Sequence, residues 1–180
     1  ISIFLIMFSI ISSGMVAVMT QYIGAGRPGV ARQAQRLGLC FNLATGVVIT
    51  CILFFCAEPI LELMGIARQL LPGARVYLKT VGLFCICNAL VPIFSSYLRS
   101  FGHTAPTMAA SLTANLVNVA LNALFLFVFH WGVFGVALAT GISRLVNLLW
   151  VWLAVRRRIR PVEEKNLPRN REIMGKIIRI

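Results

Sequence analysis

The chain has 180 residues, 59% of them hydrophobic and 12% charged, and its 17 Lys and Arg against 5 Asp and Glu leave a net charge of +12. A soluble domain averages about 45–50% apolar and about 25% charged residues, so these figures exclude a disordered tail. They also argue against a soluble basic nucleic-acid-binding domain, whose Lys and Arg would cover one solvated face. Here the charges sit in short stretches between long apolar runs and the mean hydropathy is +0.87, the composition of an all-α integral membrane protein whose first partner is the lipid bilayer.

Five stretches reach the roughly 20 apolar residues that a membrane-spanning helix needs: 1–23, 37–57, 76–98, 107–129 and 133–155. The first starts inside an apolar run at Ile1-Ser2-Ile3-Phe4, and Ile180 lies within a basic amphipathic segment, so a fragment of a longer polypeptide is expected. The cluster Gly24-Ala25-Gly26-Arg27-Pro28-Gly29 stops the first span, and Glu58-Pro59 closes the second. Pro92 falls inside the third and should kink it, with neighbouring helices bonding the freed carbonyl. Thr104 reads as an N-cap and Pro106 as a first-turn proline opening the fourth, while Gly132 and Gly135 mark the short link to the fifth.

Basic residues in the loops orient the spans. Arg27, Arg32 and Arg36 follow the first, and Arg99 and His103 follow the third. The second loop is mixed, with Glu58, Glu62, Arg68, Arg75 and Lys79, and the link His130-Trp131-Gly132 has no Lys or Arg. Residues 156–180 carry nine basic residues against three acids. The loops after the first and third spans and the tail are therefore expected to be cytoplasmic.

Each span also has a polar or small stripe. In the fourth, Ser111, Asn115, Asn118 and Asn122 are spaced 4, 3 and 4 and share one narrow face at about 100° per residue. Thr140, Ser143, Arg144 and Asn147 do the same in the fifth. The second offers Gly38, Asn42, Thr45 and Gly46, the third Asn88, Pro92, Ser95 and Arg99, and the first Ser9, Ser13 and Thr20. Two readings stand open: the stripes are helix-packing seams, or they line a common water-accessible cavity, which three asparagines on one face favour because each amide has several groups to satisfy. Arg144, near mid-span, is a functional candidate because a charge inside the membrane is costly. All five acids, Glu58, Glu62, Glu163, Glu164 and Glu172, lie outside the spans. The five cysteines read as small apolar residues, His103 and His130 fall on opposite sides of the membrane, and no phosphate-binding loop is present, so no metal, catalytic residue, cofactor or ATP-driven chemistry is expected.

These residues together resemble the multidrug and toxic compound extrusion (MATE) family of secondary transporters. Gln21-Tyr22-Ile23-Gly24-Ala25-Gly26 looks like the end of that family's second helix. Tyr77-Leu78-Lys79 and Leu98-Arg99-Ser100-Phe101-Gly102-His103-Thr104, with Pro106-Thr107-Met108 after it, look like its fourth and the start of its fifth. The run from Asn115 to Asn122 resembles the fifth helix, and Gly135-Val136-Ala137-Leu138-Ala139-Thr140 the sixth. The resemblance implies a parent of twelve helices in two six-helix lobes. This chain would supply helices two to six of the N-terminal lobe (1–155) and a basic cytoplasmic interlobe linker (156–180), with the first helix and the C-terminal lobe as missing partners. It implies export of drugs or cationic, amphipathic organic substrates in exchange for H+ or Na+ by alternating access, in a bacterial inner (plasma) membrane. The expected cavity residues are Asn115, Asn118, Asn122, Arg144 and Asn42, acting by hydrogen bonding. Some family members carry an acid where Asn122 stands, so coupling acids are expected outside this segment. A lipid-linked saccharide flippase and a non-transporting helix bundle are the alternatives; the first calls for a cavity rich in Arg and Lys, where only Arg144 qualifies.

Overall fold

The computed structural model describes residues 2–63, 65 and 69–159, and the elements in them are helices: α1 (Ser2–Gly24), α2 (Pro28–Phe55), α3 (Ala57–Leu63), α4 (Leu71–Leu83), α5 (Cys85–Ser100), α6 (Ala105–Ala123, continued by a π turn over Leu124–Val128) and α7 (Gly132–Arg158). Among the described residues four stretches are long and apolar enough, by length and composition, to cross a bilayer: Pro28–Phe55, Leu71–Ser100, Ala105–Val128 and Gly132–Arg158. The 23 residues of α1 extend about 34 Å at about 1.5 Å per residue, enough for a fifth crossing.

Several boundaries differ from the hydropathy reading. The second helix starts at Pro28, so Arg32 and Arg36 lie on its first turns and not in a loop. A proline at the first position costs no hydrogen bond, because that N–H has no intrahelical acceptor. Pro59 does not end a helix; α2 stops at Phe55 and Pro59 sits in the first turn of the short α3. The third span breaks at Phe84 (φ −90°, ψ 5°) between α4 and α5, while Pro92 lies inside α5. Thr104 precedes α6 without a side-chain cap; instead Thr107 Oγ1 donates to the Thr104 carbonyl at 2.6 Å. Arg156, Arg157 and Arg158 form the last turn of α7, and the segment expected as a linker lies, from residue 160 on, outside the described residues.

α5 is the central helix, touching α1, α2, α4, α6 and α7. Met15, Val18 and Met19 of α1, Val30, Ala31 and Ala34 of α2, and Ile93 and Tyr97 of α5 form one apolar core. Ile49 and Leu53 join Cys85 and Ala89 in a second, and Leu98, Ala110 and Val151 tie α5 to α6 and α7. Small residues let the axes approach: a Cβ at Gly46 would lie 3.0 Å from that of Ala89.

The neighbours of α5 also bond its backbone around Pro92. Ser12 Oγ donates to the Pro92 carbonyl at 2.9 Å, Ser96 Oγ donates to the Ser12 carbonyl at 3.2 Å, and the two hydroxyls touch. From the other side Asn42 Nδ2 donates to the Ala89 carbonyl at 2.9 Å. The carbonyl that Pro92 frees is that of Asn88, four residues back; these contacts instead tie α1 and α2 to carbonyls on neighbouring turns of α5.

Candidate functional site

α6 and α7 are joined by three residues, 129–131, and pack along their length. The link is tight: His130 has a φ of 53°, rare for a residue with a Cβ, and Trp131 stacks on Phe125 at 5.2 Å. The π turn closes with the Phe129 N–H donating to the Leu124 carbonyl at 3.2 Å. This corner sets the two polar stripes opposite each other.

Asn118 Nδ2 donates to Thr140 Oγ1 at 3.5 Å and to Ser143 Oγ at 3.4 Å. Both hydroxyls are free to accept, because their own protons go to carbonyls of α7, that of Val136 at 2.9 Å and that of Thr140 at 2.8 Å. Asn122 Nδ2 in turn donates to Asn118 Oδ1 at 3.1 Å. Four side chains thus form one polarised chain across the α6–α7 seam. It ends on an open acceptor: Asn122 Oδ1 is buried and meets no hydrogen-bond donor among the described residues, and the same holds for Asn147 Oδ1, on the α7 turn beyond Ser143. A buried acceptor left unpaired costs about 1–3 kcal/mol, so each can take a hydrogen bond from water, from a donor group of a solute, or coordinate a cation.

Ser111 and Asn115 lie on the same stripe of α6 but are exposed. The stripe therefore runs along the rim of the seam, half engaged with α7 and half open, beside the exposed Leu112, Leu116 and Val119. Arg144 follows Ser143 directly, is half-buried, and has no ion pair or hydrogen bond with any described residue. Asn42 is not brought to this group. It is fully buried between α2 and α5, its Oδ1 also without a donor among the described residues, and α2 makes no contact with α6 or α7.

The buried Ser12–Ser96 pair was outside the candidate set, because Ser13 and Ser95, their neighbours, fit the stripes read from the sequence. Asn147 was on a stripe but not singled out, and its 5% exposure makes it the most enclosed polar residue of α7 after Ser143. All five cysteines are free thiols, Cys85 and Cys87 buried and Cys40, Cys51 and Cys56 exposed. The described acids, Glu58 and Glu62, sit on α3, where Glu58 pairs with Arg75 of α4.

The MatE family model matches residues 1–124. The uncharacterized transporter YisQ of Bacillus subtilis is 33% identical over 159 residues, covering 86% of this chain and 35% of that protein. The multidrug resistance protein PmpM of Pseudomonas aeruginosa is 31% identical over 128 residues, covering 67% of this chain and 26% of its own length. Among solved structures, an outward-facing multidrug resistance MATE family transporter of the MOP superfamily superposes with a TM-score of 0.86 at 24% identity, covering 99% of this chain and 40% of that one. At that identity the likeness establishes the fold. The chain spans roughly a third of the length of the curated relatives it matches.

Proposed function

The chain belongs to the MatE family, and on that premise we propose that it forms part of one lobe of a secondary antiporter that exports drugs or cationic, amphipathic metabolites in exchange for H+ or Na+. The family match over residues 1–124 carries this reading, and the half-open stripe of α6 supports it, because it joins fixed hydrogen-bond partners to an accessible face. In this role Asn115 meets solute or water, Asn122 offers its unpaired carbonyl, and Asn118 holds Asn122 in place through Thr140 and Ser143. Arg144 sets the local potential beside them. The geometry of Asn42 supports helix packing. None of these groups does covalent chemistry, in keeping with a family of transporters and not of enzymes. The basic ends of the first and third loops and of α7 support a cytoplasmic placement for them in a bacterial inner membrane.

The test uses the complete transporter carrying this segment, reconstituted in liposomes with an imposed proton or sodium gradient and ethidium as the solute. Gradient-driven ethidium movement is expected, lowered about tenfold by N122A, the loss of roughly one hydrogen bond worth about 1.4 kcal/mol. No gradient-dependent movement refutes antiport. Cysteines placed at Asn118 and Asn122 should react with a water-soluble maleimide in at least one gradient condition; protection of both in all conditions refutes the cavity.

A further inference from the structure

A groove of about 620 Å³ runs between the start of α6 and the end of α7. Pro106 and Ala109 form one wall, Leu149 and Leu153 the other, and Arg157 and Arg158 stand at its mouth. Both arginines are exposed and neither is paired with any described residue. Arg156 is engaged elsewhere, its guanidinium 4.0 Å over the ring of Trp152. Among the described residues no acid lines the groove, and α6 begins at the same mouth without a side-chain cap, adding the positive end of its dipole.

The dimensions fit one leaflet. From Arg157 to Val146, the deepest lining residue of α7, is 11 residues, about 16 Å at about 1.5 Å per residue and close to half of a hydrocarbon core of about 30 Å. An apolar slot one leaflet deep, with two guanidinium groups at its mouth that are unpaired among the described residues, is complementary to a molecule that the bilayer itself supplies. We propose that this groove binds an anionic phospholipid, with an acyl chain along Leu149 and Leu153 and the phosphate on Arg157 and Arg158. Guanidinium forks suit that headgroup because they bind phosphate oxygens two at a time. A zwitterionic lipid brings its own cation and gains less. The site depends on the chain being embedded in a bilayer and not on transport, so its failure would leave the antiport reading untouched.

Trp150 lines the groove and reports on it. The full chain carrying W131F and W152F, with Trp150 as sole tryptophan, is placed in phosphatidylcholine nanodiscs holding a minor fraction of tail-brominated phosphatidylglycerol or, separately, tail-brominated phosphatidylcholine. Two cationic contacts predict a preference of about 30-fold for the anionic lipid, read from the quenching. R157Q should lower it about fivefold and R157Q/R158Q should abolish it, whereas the charge-matched R32Q/R36Q on α2 should leave it intact. Equal quenching by the two lipids overturns the proposal, as does selectivity that survives R157Q/R158Q. Quenching by neither lipid means that protein fills the groove, and overturns it too. Native mass spectrometry of the unmodified chain repeats the test without tryptophan changes: one retained phosphatidylglycerol, lost in R157Q/R158Q, is expected, and unchanged retention refutes the site.

Discussion

Among the glycines of α7, Gly141 comes nearest to a neighbouring side chain. A Cβ built there falls on the ring of Phe84, 2.6 Å from Cγ and closer to the ring edge. Phe84 is the residue at which α4 breaks into α5, so the ring that would have to give way belongs to that junction. Overpacking of this kind costs about 1–3 kcal/mol. Alanine returns about 0.5–1 kcal/mol by stiffening the helix relative to glycine, so G141A should destabilise by about 1–2 kcal/mol. The sign should reverse once the ring is gone: in an F84A background the clash is absent and G141A should stabilise by about 0.5–1 kcal/mol. Gly38 is the contrast. There the Cβ meets the thioether end of Met15, which has rotatable bonds to give way, and G38A should cost at least about 1 kcal/mol less than G141A. Unfolding of the purified chain in mixed micelles by titrated dodecyl sulfate, followed by far-ultraviolet circular dichroism, measures all four variants. An equal cost for G141A with and without Phe84 would refute the assignment of the clash.

Three further outcomes are expected. In proteoliposomes a water-soluble maleimide should label Cys56, at the end of α2, and spare Cys40, exposed at mid-helix within the apolar span, and the buried Cys85 and Cys87; equal rates at Cys40 and Cys56 would remove α2 from the membrane. A double-mutant cycle between N118A and T140V should give a coupling of no more than about 0.6 kcal/mol by dodecyl sulfate unfolding, the average for membrane hydrogen bonds, because the contact is long at 3.5 Å; zero coupling would mean that the contact is not formed. N42A should destabilise by about 1–2 kcal/mol in the same assay, losing a buried interhelical bond of 2.9 Å and leaving a void, and a neutral N42A would contradict its burial between α2 and α5.

Hydropathy located the helices because a bilayer demands long apolar runs, but it reports the hydrocarbon core and not the helix. By hydropathy Arg32 and Arg36 therefore read as loop, because charge ends an apolar run without ending a helix; the informative residue is Pro28, already at a favourable first position. The break at Phe84 left no trace, since Leu83, Phe84 and Cys85 are all apolar and the kink arises where Gly82 packs against Leu53. Pro92 was the visible breaker, yet it lies inside α5, where Ser12 and Asn42 from two other helices bond the carbonyls beside it. The α6 and α7 stripes were legible from their spacing alone, and the structure sets Asn118 against Thr140 and Ser143. The sequence could not tell which stripe faces which, because that depends on α5 standing between α2 and α7.

That placement of α5 separates two kinds of polar seam. On one side α1 and α2 are fixed to it by buried groups: Asn42 on the Ala89 carbonyl, and Ser12 and Ser96 on each other. On the other side α6 buries only Pro106, Ala110 and Ala114, all small or rigid, and its polar contacts with α7 are the long, half-buried ones from Asn118 to Thr140 and Ser143. The first seam resists movement, because opening it would strand buried polar atoms in an apolar core. The second can lengthen or exchange partners at little cost, because a solute or water that takes the place of one amide contact repays the bond it breaks. On the proposed antiport reading, that difference puts partner exchange on the α6 stripe and fixed packing on the α1–α2–α5 seam.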